Sequence, residues 1–299
     1  MSGSGYRKIG MKVGSVPNVA DLAWMMGECV PKSLLCLVVW LAMVTASNAQ
    51  SLELLREVKI QTSVSVSLDR YNRIFVGDEK GNINQYDTLG KVLLTYSPSR
   101  VVRFSLIEAW KTTKVFAFSR DLQQYTLLDR FLVPIGQYPL DENNMGFARI
   151  ATLSADDNLW LFDEVDFSLK KYDWRSQAIT INAPMNLVLD TRDYDLNFMR
   201  EYQNMLFIND RNSGILVFDN LGNYKKKLYF KGLTAFGMLN EELYFLQDNQ
   251  LRFFHLYNFT ERALNLPATI GREIRQVLVF ENKVVLFYHD TMAIYQMRN

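Results

Sequence analysis

Thiols and imidazoles are nearly missing from this 299-residue sequence, which has two cysteines and two histidines. Both cysteines, Cys29 and Cys36, precede residue 50. The rest of the chain can therefore form no disulfide, thiolate metal site or cysteine nucleophile. A thiol-free chain suits an oxidising compartment. His255 lies in an apolar run and His289 just before Asp290-Thr291, at positions that are not equivalent and do not imply a shared metal. Also absent are the G-x-S-x-G elbow, the H-E-x-x-H helix and the Walker loop, and with them the usual signatures of serine hydrolases, zinc proteases and nucleotide hydrolases. No catalytic, cofactor-binding or metal-binding residue is assigned.

An excess of charge of one sign is lacking too. The formal net charge is +1. Setting aside Arg7, Lys8, Lys12 and Lys32 with Asp21 and Glu28 leaves 29 basic and 30 acidic residues after position 49. Such a surface has no broad field to hold a phosphate backbone, so nucleic acid is not expected as a partner.

Long hydrophobic runs are limited to one. Residues 33–46 read SLLCLVVWLAMVTA, uncharged, after Lys32 and before Ser47-Asn48-Ala49. A basic segment, a short apolar run and a small-x-small site predict a secretory signal peptide over 1–49, cut before Gln50. Spanning a bilayer takes about 20 apolar residues, so no transmembrane span is expected. Cys36 stands near the start of the run, not after it, which argues against lipidation. The stretch before the run is long, and Met11, Met25 and Met26 are alternative starts. The Ala-Gln junction resembles leaders of the Bacteroidota, and that resemblance implies the periplasm or the periplasmic face of the outer membrane.

Aromatic residues, in contrast, make up 13% of the chain, a bias towards β structure. They recur in a pattern of apolar strand, Asp-containing turn, second strand ending aromatic-Asp, and another turn. One clear copy runs from Arg73 to Gly90 and another from Met205 to Gly222; weaker ones begin at Val115, Leu159, Leu243 and Val284. Starts at 74, 115, 159, 205, 243 and 284 are spaced by 41, 44, 46, 38 and 41 residues. Four strands with tight turns occupy about 40–45 residues, one propeller blade. The last unit supplies only three strands (274–281, 284–288 and 292–297), whereas 52–60 form an orphan strand before the first unit. The expectation is an all-β, six-bladed β-propeller over 50–299, closed by pairing of the N-terminal strand with the last blade. A sandwich or irregular solenoid is the alternative, but neither needs this period. Residues 194–204, rich in charge, are expected to be a loop insertion or a helix.

The string D-x-x-G-N-I-x-x-Y-D-x-x-G from Asp78 to Gly90, with its copy at Asp210–Gly222, resembles the six-bladed NHL and SMP-30-like propellers, and more loosely the quinoprotein and WD40 groups. The SMP-30 likeness implies one possible activity, a metal-dependent lactonase or hydrolase using carboxylates around the ring. Against it, Asp78, Asp163, Asp210, Asp248 and Asp290 recur from unit to unit, as do Asp87, Asp173 and Asp219. Recurrence points to turns, where Asp accepts backbone N–H bonds.

Asp156-Asp157-Asn158 reads as a turn, and Lys225-Lys226-Lys227 as solvated lysines of an edge strand. Asp87-Thr88-Leu89 and Asp290-Thr291-Met292 resemble Bacteroidota O-glycosylation acceptors and are expected in exposed turns. The leading functional expectation is a non-catalytic protein-protein interaction module with no cofactor, serving an outer-membrane β-barrel complex in assembly or secretion as an accessory or plug subunit. Trp110, Trp160 and Trp174 are the candidate partner-binding aromatics, or stacking platforms if the protein is a carbohydrate-binding propeller.

Overall fold

The structure is a computed structural model that describes residues 51–267 and 272–298. The expected signal peptide over 1–49, its expected cut before Gln50 and both cysteines lie outside the described residues.

Apolar and polar residues alternate weakly here, because most strands have both faces covered. Strands such as Ile74–Asp78 and Leu159–Asp163 are buried at every position. A sheet with two apolar faces must pack against a neighbour on each side, and a ring of sheets satisfies all of them at once. The described residues form six four-stranded antiparallel sheets arranged as blades.

After β1 (Ser51–Lys59), the first blade comprises β2 (Ser63–Leu68), β3 (Ile74–Asp78), β4 (Ile83–Tyr86) and β5 (Val92–Tyr96). The second is β6 (Leu106–Glu108), β7 (Lys114–Ser119), β8 (Gln124–Asp129) and β9 (Pro134–Pro139). A short helix, α1 (Glu142–Met145), leads to the third, β10 (Ala148–Leu153), β11 (Leu159–Asp163), β12 (Ser168–Asp173) and β13 (Ala178–Pro184). The fourth holds β14 (Leu196–Tyr202), β15 (Met205–Asp210), β16 (Gly214–Asp219) and β17 (Tyr224–Leu228). The fifth holds β18 (Phe236–Leu239), β19 (Glu242–Gln247), β20 (Gln250–His255) and β21 (Glu261–Asn265). The last is β22 (Gln276–Phe280), β23 (Lys283–Phe287) and β24 (Thr291–Arg298), completed by β1.

The orphan strand therefore closes the ring, as its position in the sequence implied. Ser51 pairs with Arg298 and Lys59 with Thr291, with a bulge between Leu54 and Arg56. Six apolar clusters fill the six seams. The closing seam packs Ile74, Val76 and Tyr86 of blade one against Leu278, Phe287 and Ile294 of blade six.

Two expectations need correction. Residues 194–204 are neither helix nor inserted loop: most of them form β14, the inner strand of blade four. Their charges suggested solvent, but Arg200 and Glu201 face other blades. The extra length lies just before, in residues 185–195. Helix α1 was not expected; Asp141 caps it, accepting from Asn143 N at 3.1 Å.

Aspartate builds the turns. Asp87, Asp129 and Asp219 each accept from the backbone N–H groups two and four residues on, at 2.8–3.0 Å. Gly90 and Gly222 end two of these turns at φ +77° and +83°. Both lie against the preceding blade, where a Cβ would come 2.7 Å from Val58 and 2.8 Å from Ile181.

Deleting residues 51–59 exposes the edge of β24 and opens the ring. A loss on the order of 4 kcal/mol lowers the melting temperature by roughly 10 °C in a domain of this size. Circular-dichroism melts of the two forms check it, and coincident curves would mean that the ring closes without β1.

Candidate functional site

The six inner strands, β2, β6, β10, β14, β18 and β22, surround a central channel. One face of the ring, here called lower, carries the turns from first to second and from third to fourth strand of each blade. The upper face carries the others.

Inner strands of neighbouring blades run side by side without forming a sheet, so their backbone groups need other partners. Side chains supply them at every seam. Ser65 and Ser67 Oγ accept from Ile107 N and Ala109 N at 2.8 and 3.0 Å. Glu108 accepts from Thr152 Oγ1 at 2.7 Å and from Leu153 N at 2.9 Å. Glu201 accepts from Ser154 Oγ, Ala155 N and Trp160 Nε1 at 2.5, 3.0 and 2.7 Å. Tyr202 Oη donates to Asn240 O at 2.6 Å, Val279 N donates to Tyr244 Oη at 3.2 Å, and Gln276 Nε2 donates to Val64 O at 3.1 Å.

Arg200 reaches across the channel. It lines a cavity of about 250 Å³ at the upper mouth and one of about 460 Å³ at the lower mouth. Its Nε stands 3.6 Å from Glu108 Oε1, beyond hydrogen-bonding reach but close enough for an ion pair. Burial pushes the Glu108 carboxyl above its ordinary range, against the opposing pull of Arg200 and the two seam donors. Tyr244 is likewise raised by burial. A second upper cavity of about 240 Å³ lies beside Arg120, Arg149 and Arg211. There Arg149 and Arg211 share Asp195, at 2.9 and 3.1 Å.

The three tryptophans separate. Trp110 lines the lower cavity, with Lys111 Nζ 5.3 Å from its ring centre. Trp174 sits in a lower turn, 39% exposed. Trp160 is 0% exposed and hydrogen-bonded to Glu201, so the expectation of a surface platform there is corrected. Thr88 is half-buried in its turn. Thr291 opens β24, is buried and lies within 3.1 Å of Asp290 Oδ1, which corrects the expectation of an exposed turn.

The acidic residues serve structure. Asp78 accepts from Lys80 N and Asn82 N at 2.8 and 2.9 Å, and Asp163 holds Phe147 N, Val165 N and the buried Lys170. Asp156 pairs with Lys171, and Asp157 with Lys111 and Lys114. His255 faces Glu241 at 3.2 Å, while His289 is exposed on another blade. Among the described residues, no three His, Cys, Asp or Glu side chains group as a metal site. Lys225, Lys226 and Lys227 lie in β17, an outermost strand; Lys225 pairs with Asp219.

Sequence reasoning missed Glu108, Arg200, Glu201 and Tyr244. For the first three the available signal was a charged residue inside an otherwise apolar inner strand, as in Leu106-Ile107-Glu108 and Phe198-Met199-Arg200-Glu201; Tyr244, in the second strand β19, carries no such signal.

No protein-family model matches the chain, and no curated protein matches it. Solved structures do. Virginiamycin B lyase from Staphylococcus aureus superposes with a TM-score of 0.59 at 10% identity, covering 83% of this chain and 100% of that one. The Swd1 propeller domain of Myceliophteria thermophila gives 0.56 at 13% identity, covering 83% and 100%. BamB from Moraxella catarrhalis gives 0.51 at 10%, covering 82% and 100%. At such identities the likeness is one of fold: a six-bladed β-propeller.

Arg200→Met leaves Glu108 buried beside no cation, which costs about 3 kcal/mol at neutral pH. The raised carboxyl contributes stability that is complete below the ordinary carboxylate range and lost as pH rises through its folded value. The defect of the variant is therefore expected to shrink towards pH 5, and Glu108→Gln to relieve it. Urea denaturation at pH 5 and pH 8 measures both; a defect independent of pH would refute the pairing.

Proposed function

We propose that the chain is exported by a signal peptide over residues 1–49 and acts as a non-catalytic interaction module at the periplasmic face of the outer membrane. In this reading it is an accessory or plug subunit of an assembly or secretion complex. One observation carries the reading. The ionisable side chains that the inner strands bring to the channel and its mouths, Glu108, Arg149, Arg200 and Glu201, are engaged in holding blades together. A propeller organised in that way offers its loops, not its axis, for recognition. The turn string from Asp78 to Gly90 supports placing the blades with the NHL and SMP-30-like type. Thr88 is kept as the candidate O-glycosylation acceptor.

A second reading, carbohydrate binding, draws on Trp110 at the lower cavity and the exposed Trp174. It predicts that Trp110→Ala abolishes glycan retention in a variant that a melt shows to be folded.

Affinity purification from native envelope fractions tests the first reading. Near-equal recovery of an outer-membrane barrel is expected. Isolation of the propeller alone, carrying stoichiometric divalent metal, would replace the scaffold with the hydrolase.

A further inference from the structure

The cavity of about 250 Å³ at the upper mouth is lined by two guanidinium groups, those of Arg200 and Arg211, and by no carboxylate. The carboxylates that accompany them stand outside its wall. Glu108 lies 3.6 Å from Arg200 Nε, and Asp195 lies 3.1 Å from Arg211 Nη1. A guanidinium has five N–H donors, so each arginine keeps several for the cavity. Arg200 Nε is enclosed without a hydrogen-bond partner among the described residues, and the Phe198 ring centre is 5.7 Å from the guanidinium.

Tyr244 adds a further donor, by a route that depends on a glycine. It belongs to the second strand β19 and pairs with Gly237 of the inner strand β18. A Cβ at Gly237 would come 2.2 Å from the Tyr244 hydroxyl oxygen, so the ring crosses the inner strand only because that position has no side chain. The residue is 2% exposed and lines the cavities of both mouths. Its oxygen accepts from Val279 N at 3.2 Å, while its proton has no acceptor among the described residues. The charge of Arg200 acts on this hydroxyl, against the upward pull of burial on its pKa. On the same wall Gln276 donates through Nε2 to Val64 O, and its Oε1 is enclosed without a partner.

A cation in this cavity would face two guanidinium groups. A purely apolar molecule would leave enclosed donors unpaired, at a cost. An anion satisfies both conditions. An inorganic anion, however, would leave the apolar part of the wall, Phe198, Phe236 and Leu278, uncovered.

We propose that the upper-mouth cavity binds a small organic acid, its carboxylate held by Arg200, Arg211 and Tyr244 and its apolar body against Phe198 and Phe236. A hydroxyl on the acid pairs with Gln276 Oε1. The carboxylate takes the terminal nitrogens of Arg200 and leaves Nε facing Glu108, so the ring stays closed. Macromolecular recognition remains with the loops, and the site depends neither on export nor on a protein partner.

Calorimetric titration of the purified chain with phenyllactate tests this assignment. Saturable binding is expected, with a rise in melting temperature because the acid binds only the folded form. The uncharged phenyllactamide and inorganic sulfate are each expected to bind at least roughly tenfold more weakly. Arg211→Gln alters a largely exposed side chain and is expected to weaken phenyllactate binding roughly tenfold. Arg200→Met combined with Glu108→Gln, which strands no buried charge, is expected to abolish binding, and Tyr244→Phe to weaken it severalfold. Arg70→Gln, at the lower cavity alone, is expected to bind as the parent does. A melt confirms that each variant is folded, and Arg211→Gln decides the matter should an inner-strand variant fail to fold. Absence of saturable binding by the parent, equal affinity for the acid and its amide, or unchanged affinity in Arg211→Gln would overturn the proposal.

Discussion

A blade with two apolar faces cannot exist alone in water, and everything else in this molecule follows from covering both faces of every blade. Each blade buries one face against its predecessor and one against its successor, so the chain has no stable stopping point short of a closed ring. The last blade meets that condition with a strand from the other end of the chain. β1 is largely exposed, since it is an outermost strand. Its value lies in hydrogen bonds to β24 and in removing an edge, more than in apolar burial.

Closure brings six inner strands together at a distance where sheet hydrogen bonds are impossible. Their amides would be orphaned along the channel without polar side chains to meet them. Each seam solves this with a different residue: serines, then Glu108, Glu201, Tyr202, Tyr244 and Gln276. That diversity explains how legible the protein was. The repeat could be read because every blade needs the same apolar second strand and the same aspartate turn. The seam residues could not, since each is used once and breaks the apolar pattern. Arg200 and Glu201 made their strand look like a solvated loop, yet both are held by other blades. Trp160 looked like a surface aromatic for the converse reason: its sequence neighbours do not show that Glu201 accepts its indole N–H.

The buried Glu108 and the partly exposed Arg200 also set what the channel can do. A carboxylate with two seam donors and one nearby cation has few remaining acceptor positions, and the cation crosses between the two mouths. The axis is therefore obstructed by groups that also maintain the ring. Chemistry at the axis would compete with closure, because any ligand that drew Arg200 away would leave Glu108 a buried charge without compensation.

The turns at the rims, in contrast, are structurally equivalent and carry no part in ring closure. The aspartate fixes the backbone of each turn through its own acceptor bonds, so the outward residue contributes little to stability and can vary without cost to the blade. Lys80 and Leu89 occupy the same place in two turns of one blade, on opposite faces. Both faces carry a mixture of the two kinds: Leu89, Phe131 and Leu221 share the lower face with Asn158 and Arg175, and Val165 shares the upper face with Lys80 and Asn212. A position released from structural constraint on both faces is free to take either chemistry, which is why the aspartate of each turn can be read as a repeat while the residue two places on cannot.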